Sequence, residues 1–250
     1  GGVDSFYTLL QHEAEITDLV FVHGLDIPLG AHELRQQSAD HVHRVARDFG
    51  KGVIEIETNI RRLLDEFVPW GVFGHGSALA AIAHQLDRRV KRILIPASYT
   101  YAHLFPWGTH PVLDPHWGSE ALTFVHDGCE ATRVAKVGRI AGSGVALDRL
   151  RVCYKNPDGA YNCGECEKCV RTMINLQVNG ALERCPAFAT PLKLKNVRKM
   201  DARRESTRAF VSENLQALRA AGGSGELEVA LDRVLRRGSG GKLSRFRLGR

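Results

Sequence analysis

The stretch DLVFVH at Asp18–His23 is short, apolar and rich in β-branched residues, and it decides the predicted fold. A run of this length and composition is typical of a buried strand. VIEIE at Val53–Glu57, RILIP at Arg92–Pro96 and the segment Leu122–Val125 have the same character. These segments therefore predict the strands of one sheet.

The segments around and after these strands have apolar residues at helical spacing. The predicted helices are Asp4–His12, His32–Phe49, Ser77–Leu86, Glu130–Ile140, Glu165–Val178, Ala202–Ala220 and Glu226–Arg236. Strands that alternate with helices pair in parallel through right-handed crossovers. The predicted fold class is α/β, a doubly wound parallel sheet with a C-terminal helical, zinc-binding appendage. We expect an ATP-binding α/β domain at 1–150, a zinc-binding segment at 151–200 and a helical basic tail at 201–250.

Four cysteines, Cys153, Cys163, Cys166 and Cys169, fall within a short window. Cys166 and Cys169 are one helical turn apart, Cys163-Gly164 forms a tight turn, and Cys153 is expected at the end of a strand. Four thiolates at such spacing suit a closed, structural Zn²⁺ site. An iron–sulfur cluster is less favoured because the final Cys-Pro of the ferredoxin pattern is missing, and unligated cysteines are the weakest alternative.

The chain opens with Gly1-Gly2-Val3-Asp4-Ser5 before an apolar helical run. Glycines let the backbone approach an anion, and the amides at a helix N-terminus attract negative charge. Asp4 would repel phosphate unless it capped loop amides or helped to hold Mg²⁺, which hints at a metal-bound nucleotide. An ordinary helix cap explains these five residues about equally well.

These five residues resemble the end of the S-G-G-x-D-S loop of the PP-loop ATP pyrophosphatases, a superfamily that includes GMP synthetase, asparagine synthetase and tRNA lysidine synthetase. The resemblance implies that Gly1, Gly2, Val3, Asp4 and Ser5 bind the pyrophosphate part of ATP. The first serine of the motif and the first, central strand of the sheet are then expected upstream of Gly1. The adenine is expected near the strand ends, with Val22 and His23 among its contacts.

A second motif narrows the resemblance. Val152-Cys153-Tyr154 followed by Asn162-Cys163-Gly164-Glu165-Cys166-Glu167-Lys168-Cys169-Val170-Arg171 is similar to the zinc motif of the 7-cyano-7-deazaguanine synthases of queuosine biosynthesis. The two motifs occur in the family's order and span roughly residues 1–180. The resemblance implies a substrate role for Arg171 and places basic residues near the phosphates, for which Arg133 and Lys136 are the candidates.

The long segment 97–120 departs from the family, since it has no deazapurine-binding pattern. A long loop in a compact domain is usually functional. Four of its residues are candidate substrate contacts: His110, Asp114, His116 and Trp117. The substrate is therefore either the family's carboxylate or a different one.

Together with these residues, the resemblance implies an AMP-forming ATP-dependent ligase, with ATP, Mg²⁺ and Zn²⁺ as cofactors and a small carboxylate plus ammonia or another amine as substrates. Asp4, Ser5, Arg133 and Lys136 are the predicted catalytic residues. The chain has no apolar run of membrane-spanning length and no leader pattern, which predicts a cytoplasmic protein without a membrane partner.

The net charge of +6 is partly concentrated in the tail and suits an anionic ligand. A tRNA-modifying PP-loop enzyme, whose tail would bind RNA, is the less favoured alternative. A non-catalytic nucleotide-binding module is a third, and a homodimer is one option for assembly.

Overall fold

The computed structural model describes residues 1–223 and 225–239. The strands are β1 (Asp18–His23), β2 (Gly52–Glu57), β3 (Arg92–Pro96) and β4 (Thr123–Asp127). The α-helices are α1 (Val3–Gln11), α2 (His32–Asp48), α3 (Ile60–Leu64), α4 (His75–His84), α5 (Arg133–Ile140), α6 (Gly144–Arg149), α7 (Glu167–Val178), α8 (Leu194–Val197), α9 (Glu205–Ala220) and α10 (Gly225–Ser239). A single π-helical turn, Trp70–Gly74, precedes α4, and three short 3₁₀ turns complete the described structure: Tyr101–His103, Asp114–Trp117 and Pro157–Gly159.

The protein is mixed α/β, and its strands are parallel as predicted. Among the described residues, however, they form two separate pairs, β1 with β2 and β3 with β4, and no ladder joins the pairs. The predicted continuous, doubly wound sheet is therefore not present in this part of the chain. Apolar runs locate strands, but they do not specify which strand edges pair.

The connections between strands also differ from a regular alternation. Helix α2 connects β1 to β2, whereas β3 reaches β4 through a long loop with two 3₁₀ turns. Besides the 3₁₀ turns, four helical elements were not predicted: α3, the π-helical turn, α6 and α8. The prediction of a strand before Cys153 is wrong, because α6 ends at Arg149 and no strand is described between Arg149 and Cys153.

Several predicted helices begin later than expected, for local reasons. Helix α5 begins at Arg133 because Thr132 caps it, with the Thr132 hydroxyl accepting from the amide of Ala135 at 3.1 Å. Cys166 occupies the N-cap of α7, so the helix starts two residues after the predicted Glu165.

Helix α7 is largely buried and packs against α5 and α9. One core cluster joins α1, α5 and α6 to the cysteine segment through residues such as Val3, Val137 and Met173. A second cluster joins α7 to α8, α9 and α10. The apolar packing thus continues across residues 150 and 200, where segment boundaries were expected.

Within the described residues, no helix combines the length and apolarity needed to cross a membrane. Arg236, one of the basic residues of the predicted tail, pairs with Asp232 at 2.6 Å, one turn earlier on α10. Four other basic residues of the predicted tail lie outside the described residues: Lys242, Arg245, Arg247 and Arg250.

Candidate anion site and metal centre

The first turn of α1 places Asp4 among basic side chains. Gly2 is the N-cap and makes no side-chain cap, so the first amides of the helix have no intrahelical partner. Asp4 does not cap them either. Its Oδ2 accepts a hydrogen bond from Nη1 of Arg133 at 2.6 Å and one from Oγ of Ser98 at 3.4 Å. The exposed Ser5 follows Asp4 on the helix.

Three buried cations surround this carboxylate. Lys136 lies 3.7 Å from Asp4 Oδ1 and donates to the carbonyl oxygen of Ala97 at 2.6 Å. Burial opposes ionisation of Asp4, but Arg133, Lys136 and Arg171 outweigh it and hold its pKa below the usual range. Desolvation lowers the pKa of Lys136, an effect that Asp4 partly offsets. Asp4 thus compensates a cluster of positive charge, a role that the sequence argument did not consider.

Part of this cluster lacks hydrogen-bond partners. Within the described residues, Nε of Arg133, Nε of Arg171 and Oδ1 of Asp4 are buried and accept or donate no hydrogen bond. The side chains of Arg133 and Lys136 are only 5% and 1% exposed, so bulk water does not satisfy them. Buried, unpaired guanidinium N–H groups are costly unless an acceptor reaches them. The arrangement therefore suits an anionic ligand.

Two acidic residues lie beside the cations. Glu167 approaches Nη1 of Arg171 at 3.5 Å, and Glu213 accepts a hydrogen bond from the backbone amide of Arg133 at 2.9 Å. Burial raises the pKa of Glu213. Lys168 adds another positive charge close to Arg171, and its pKa is lowered by burial.

The candidate substrate residues of the long loop are not all equally available. Asp114 is buried, where its Oδ2 contacts Nδ1 of His126 at 2.6 Å and its Oδ1 accepts from the amide of His110 at 3.0 Å. These contacts fold the loop back onto β4. Trp117 packs against the core of β3 and β4, while His116 is exposed.

Val22 and His23 lie at the carboxyl end of β1. The Nε2 atom of His23 contacts Glu55 at 2.7 Å, and its Nδ1 accepts from Nε of Arg35 at 3.2 Å. His23 also lines an open cavity of about 400 Å³ together with residues of α2.

The four predicted cysteine ligands come together as expected. Their sulfurs all lie within 4.8 Å of one another, and the pairs Cys153–Cys166 and Cys163–Cys169 are each 3.9 Å apart. Four sulfurs at about 2.3 Å from a tetrahedral Zn²⁺ would be separated by about 3.8 Å. The sulfur geometry therefore fits zinc.

A tight turn at Gly164 helps to form this cluster. Gly164 has φ +67°, which lets the chain turn between Cys163 and the N-terminus of α7.

The hydrogen bond with Cys169 lowers the pKa of Cys166 to about 5, and the same contact raises the pKa of Cys169. Thiols this close share protons, and a cation that displaces those protons would stabilise the deprotonated set.

Sequence reasoning missed the aromatic residues beside Arg171. Phe210 of α9 lies 3.9 Å from the Arg171 guanidinium and 5.8 Å from that of Arg133, measured to the ring centroid. Tyr99, which follows β3, stacks on Phe210 at 5.2 Å between centroids and 25° between planes. Nothing in the local pattern of α9 marks Phe210, since it is one of several buried residues on an amphipathic helix.

The fold and these contacts define a mixed α/β protein with a buried basic cluster at a helix N-terminus and a four-cysteine centre able to hold a metal ion. No family model, no curated protein and no solved structure matches the chain.

Proposed function

We propose that this chain is an AMP-forming, ATP-dependent ligase that adenylates a carboxylate or carbonyl oxygen of a small substrate. One observation carries the proposal: Arg133, Lys136 and Arg171 are buried around the first turn of α1, and two of them keep unpaired N–H groups. Free helix amides and desolvated cations favour a polyphosphate over a singly charged ion. The resemblance of Gly1–Ser5 to the PP-loop is the reason for proposing ATP as this polyphosphate.

In the proposed reaction, the ATP phosphates lie against the first amides of α1, with Arg133 and Lys136 offsetting their charge. A substrate oxygen attacks the α-phosphorus and the bond from that phosphorus to the bridging oxygen breaks, so pyrophosphate leaves. For a carboxylate, the product is an acyl-adenylate. An amine then attacks the acyl carbon, AMP departs and the amine loses its proton to solvent.

Each of these side chains contributes by position and charge. Arg133 and Lys136 stabilise negative charge on the departing pyrophosphate, which is the main requirement of such a transfer. Asp4 pairs with both cations and orients them before ATP binds. The four-cysteine centre would hold Zn²⁺ as a structural ion, which supplies no chemistry to the reaction but fixes the start of α7 and so Arg171. ATP would enter as its Mg²⁺ complex, the metal screening the phosphates.

The test is product analysis with the full chain, Mg²⁺, ATP and pools of small carboxylates with ammonia. We expect AMP and pyrophosphate in equal amounts, and at least a hundredfold less AMP from Lys136→Met. Formation of ADP and phosphate would refute the reaction class. Binding of ATP without turnover in any pool would instead support a non-catalytic nucleotide-binding module.

A further inference from the structure

Arg171 is held in a way that hydrogen bonding does not explain. Within the described residues its Nε is buried and makes no hydrogen bond, and Oε1 of Glu167 is 3.5 Å from its Nη1. Its side chain is only 8% exposed, so bulk water does not provide the missing hydrogen-bond partners. A contact besides the ion pair with Glu167 therefore contributes to the position of this buried cation.

The aromatic ring of Phe210 provides that contact. The guanidinium carbon of Arg171 lies 3.9 Å from the ring centroid, well within the range of a cation–π interaction, and Phe210 itself is 2% exposed. Tyr99 stacks on the same ring and links it to the segment that follows β3. The ring is therefore fixed from two helices and a loop, and it cannot easily move away from Arg171.

Stacking and anion binding use different parts of a guanidinium. The face of the planar group packs on the ring, whereas its N–H bonds lie in the plane and point outward from the edge. A stacked arginine thus keeps its donors for an acceptor. Because the Nε of Arg171 has no partner among the described residues, this edge is the part left for a ligand.

We propose that Phe210 is a positioning residue for the anion site: it holds Arg171, and to a lesser degree Arg133, with their N–H edges toward the bound phosphates. The inference rests on the proposed function, since it assumes that a polyphosphate is the ligand. It gives α9 a part in the site, although this helix belongs to the segment 201–250, for which the sequence predicted a helical basic tail and no site residue.

The experiment measures binding of inorganic pyrophosphate to the full chain by calorimetry, with a melting curve for every variant. Phe210→Leu keeps an apolar side chain but removes the ring, and we expect about tenfold weaker binding. Phe210→Tyr keeps the ring and should bind within about threefold of wild type. Phe124→Leu, which shortens a buried phenylalanine in β4 outside the site, is the matched control and should bind as wild type.

A double variant separates positioning from general packing. If Phe210 acts through Arg171, then Phe210→Leu should weaken binding little further once Arg171→Gln is present. Equal losses in both backgrounds would overturn the inference, as would wild-type affinity in a folded Phe210→Leu protein. Should Phe210→Leu fail to fold, Phe210→Met has a closer volume and provides the same comparison.

The two proposals fail differently in this experiment. A wild-type protein that binds neither pyrophosphate nor ATP would refute the proposed function, and with it the basis of the inference. A wild-type protein that binds both, with binding indifferent to the ring at Phe210, would refute only the positioning role.

Discussion

Asp4 occupies a position where a carboxylate would be unfavourable for phosphate binding if it stood alone. Its partners explain its presence, because Arg133 and Lys136 are both buried and both approach its oxygens. Removing the charge would leave these cations without compensation. The charge of Asp4 should therefore stabilise the fold and at the same time weaken the binding of an anionic ligand.

Asp4→Asn should lower the free energy of unfolding by about 3 kcal/mol, because it breaks a buried ion pair from one side. Urea denaturation measures this loss. Pyrophosphate should then raise the unfolding midpoint of the variant more than that of wild type, since a bound anion replaces the missing charge.

Asp18→Asn is the matched control for this change. The carboxylates of Asp18 and Asp4 are both 17% exposed, but Asp18 pairs with one exposed arginine, Arg89, at 3.0 Å. This variant should lose less than about 1 kcal/mol and should gain nothing extra from pyrophosphate. Equal losses at the two positions would argue against a charge-compensating role for Asp4.

His12 should make stability depend on pH. Its Nε2 contacts Oδ1 of Asp127 at 2.7 Å, and this hydrogen bond raises the pKa of His12 despite the opposing effect of burial. A raised folded-state pKa means that protonation stabilises the fold. The contribution is complete below about pH 6.5, the unfolded value, and is lost as pH rises through the folded value.

The stability difference between wild type and His12→Gln should therefore be largest in mild acid and shrink as pH increases above about 6.5. Unfolding free energies measured across this window would show it. Asp127→Asn should remove most of the same pH dependence. A difference that stays constant with pH would mean that His12 contributes through packing alone.

At the scale of elements, the π-helical turn and the start of α4 are built around close backbone contact with the long loop. A Cβ on Gly76 would lie 1.6 Å from the carbonyl oxygen of Gly108. The loop is also held by the amide of Gly108, which donates to Gly71 O at 3.0 Å, and by His75 Nε2 near Thr109 Oγ1 at 3.1 Å. This contact leaves room only for glycine.

Gly76→Ala should lower the free energy of unfolding by about 2 kcal/mol or more, because backbone must move to admit the methyl group. Chemical denaturation gives the value. Gly144→Ala at the start of α6 is the control, since nothing lies within 4 Å of its added Cβ. Gly144→Ala should be neutral or stabilised by up to about 1 kcal/mol. A similar gain from Gly76→Ala would contradict the close contact between Gly76 and the carbonyl oxygen of Gly108.

The sequence predicted those elements whose signal is local. The strands at Asp18–His23 and Arg92–Pro96 were predicted at their observed bounds because short apolar runs mark them directly. The π-helical turn at Trp70–Gly74 was missed because it depends on glycines that matter only through contact with a distant loop. The parallel direction of the strands was predicted correctly, but the described residues form two strand pairs and not one sheet, because the joining of strands is a property of their edges and not of any one segment.

For the candidate sites, too, the sequence predicted the residues that have a local signal and missed those that depend on tertiary packing. Cysteine spacing predicted a cluster that the structure confirms, because three of the four residues are within one turn of a neighbour. Asp4, Arg133 and Lys136 were each selected from the sequence, but their mutual pairing depends on α1 packing against α5. Phe210 had no local signal, and only the packing of α9 on α7 reveals it.

At the scale of the whole molecule, the cysteine centre and the anion site share one core. Cys153, Cys166 and Cys169 are buried in the same cluster as Val3 and Phe6 of α1. Arg171 follows Cys169 by two residues on α7. The metal centre should therefore influence the anion site through the position of α7.

In protein loaded with Zn²⁺, a chelator should lower the melting temperature and weaken pyrophosphate binding together, because buried thiolates that lose a cation must take up protons or become exposed. Added Zn²⁺ should restore both, and Cys153→Ser should behave as the metal-free protein does. Cys185→Ala is the control: Cys185 is buried in the same core but is not part of the four-sulfur cluster. It should keep one zinc per chain by elemental analysis and bind pyrophosphate as wild type does. A metal-free protein that melts and binds as before would show that α7 is held by apolar packing alone, and that the two sites are independent.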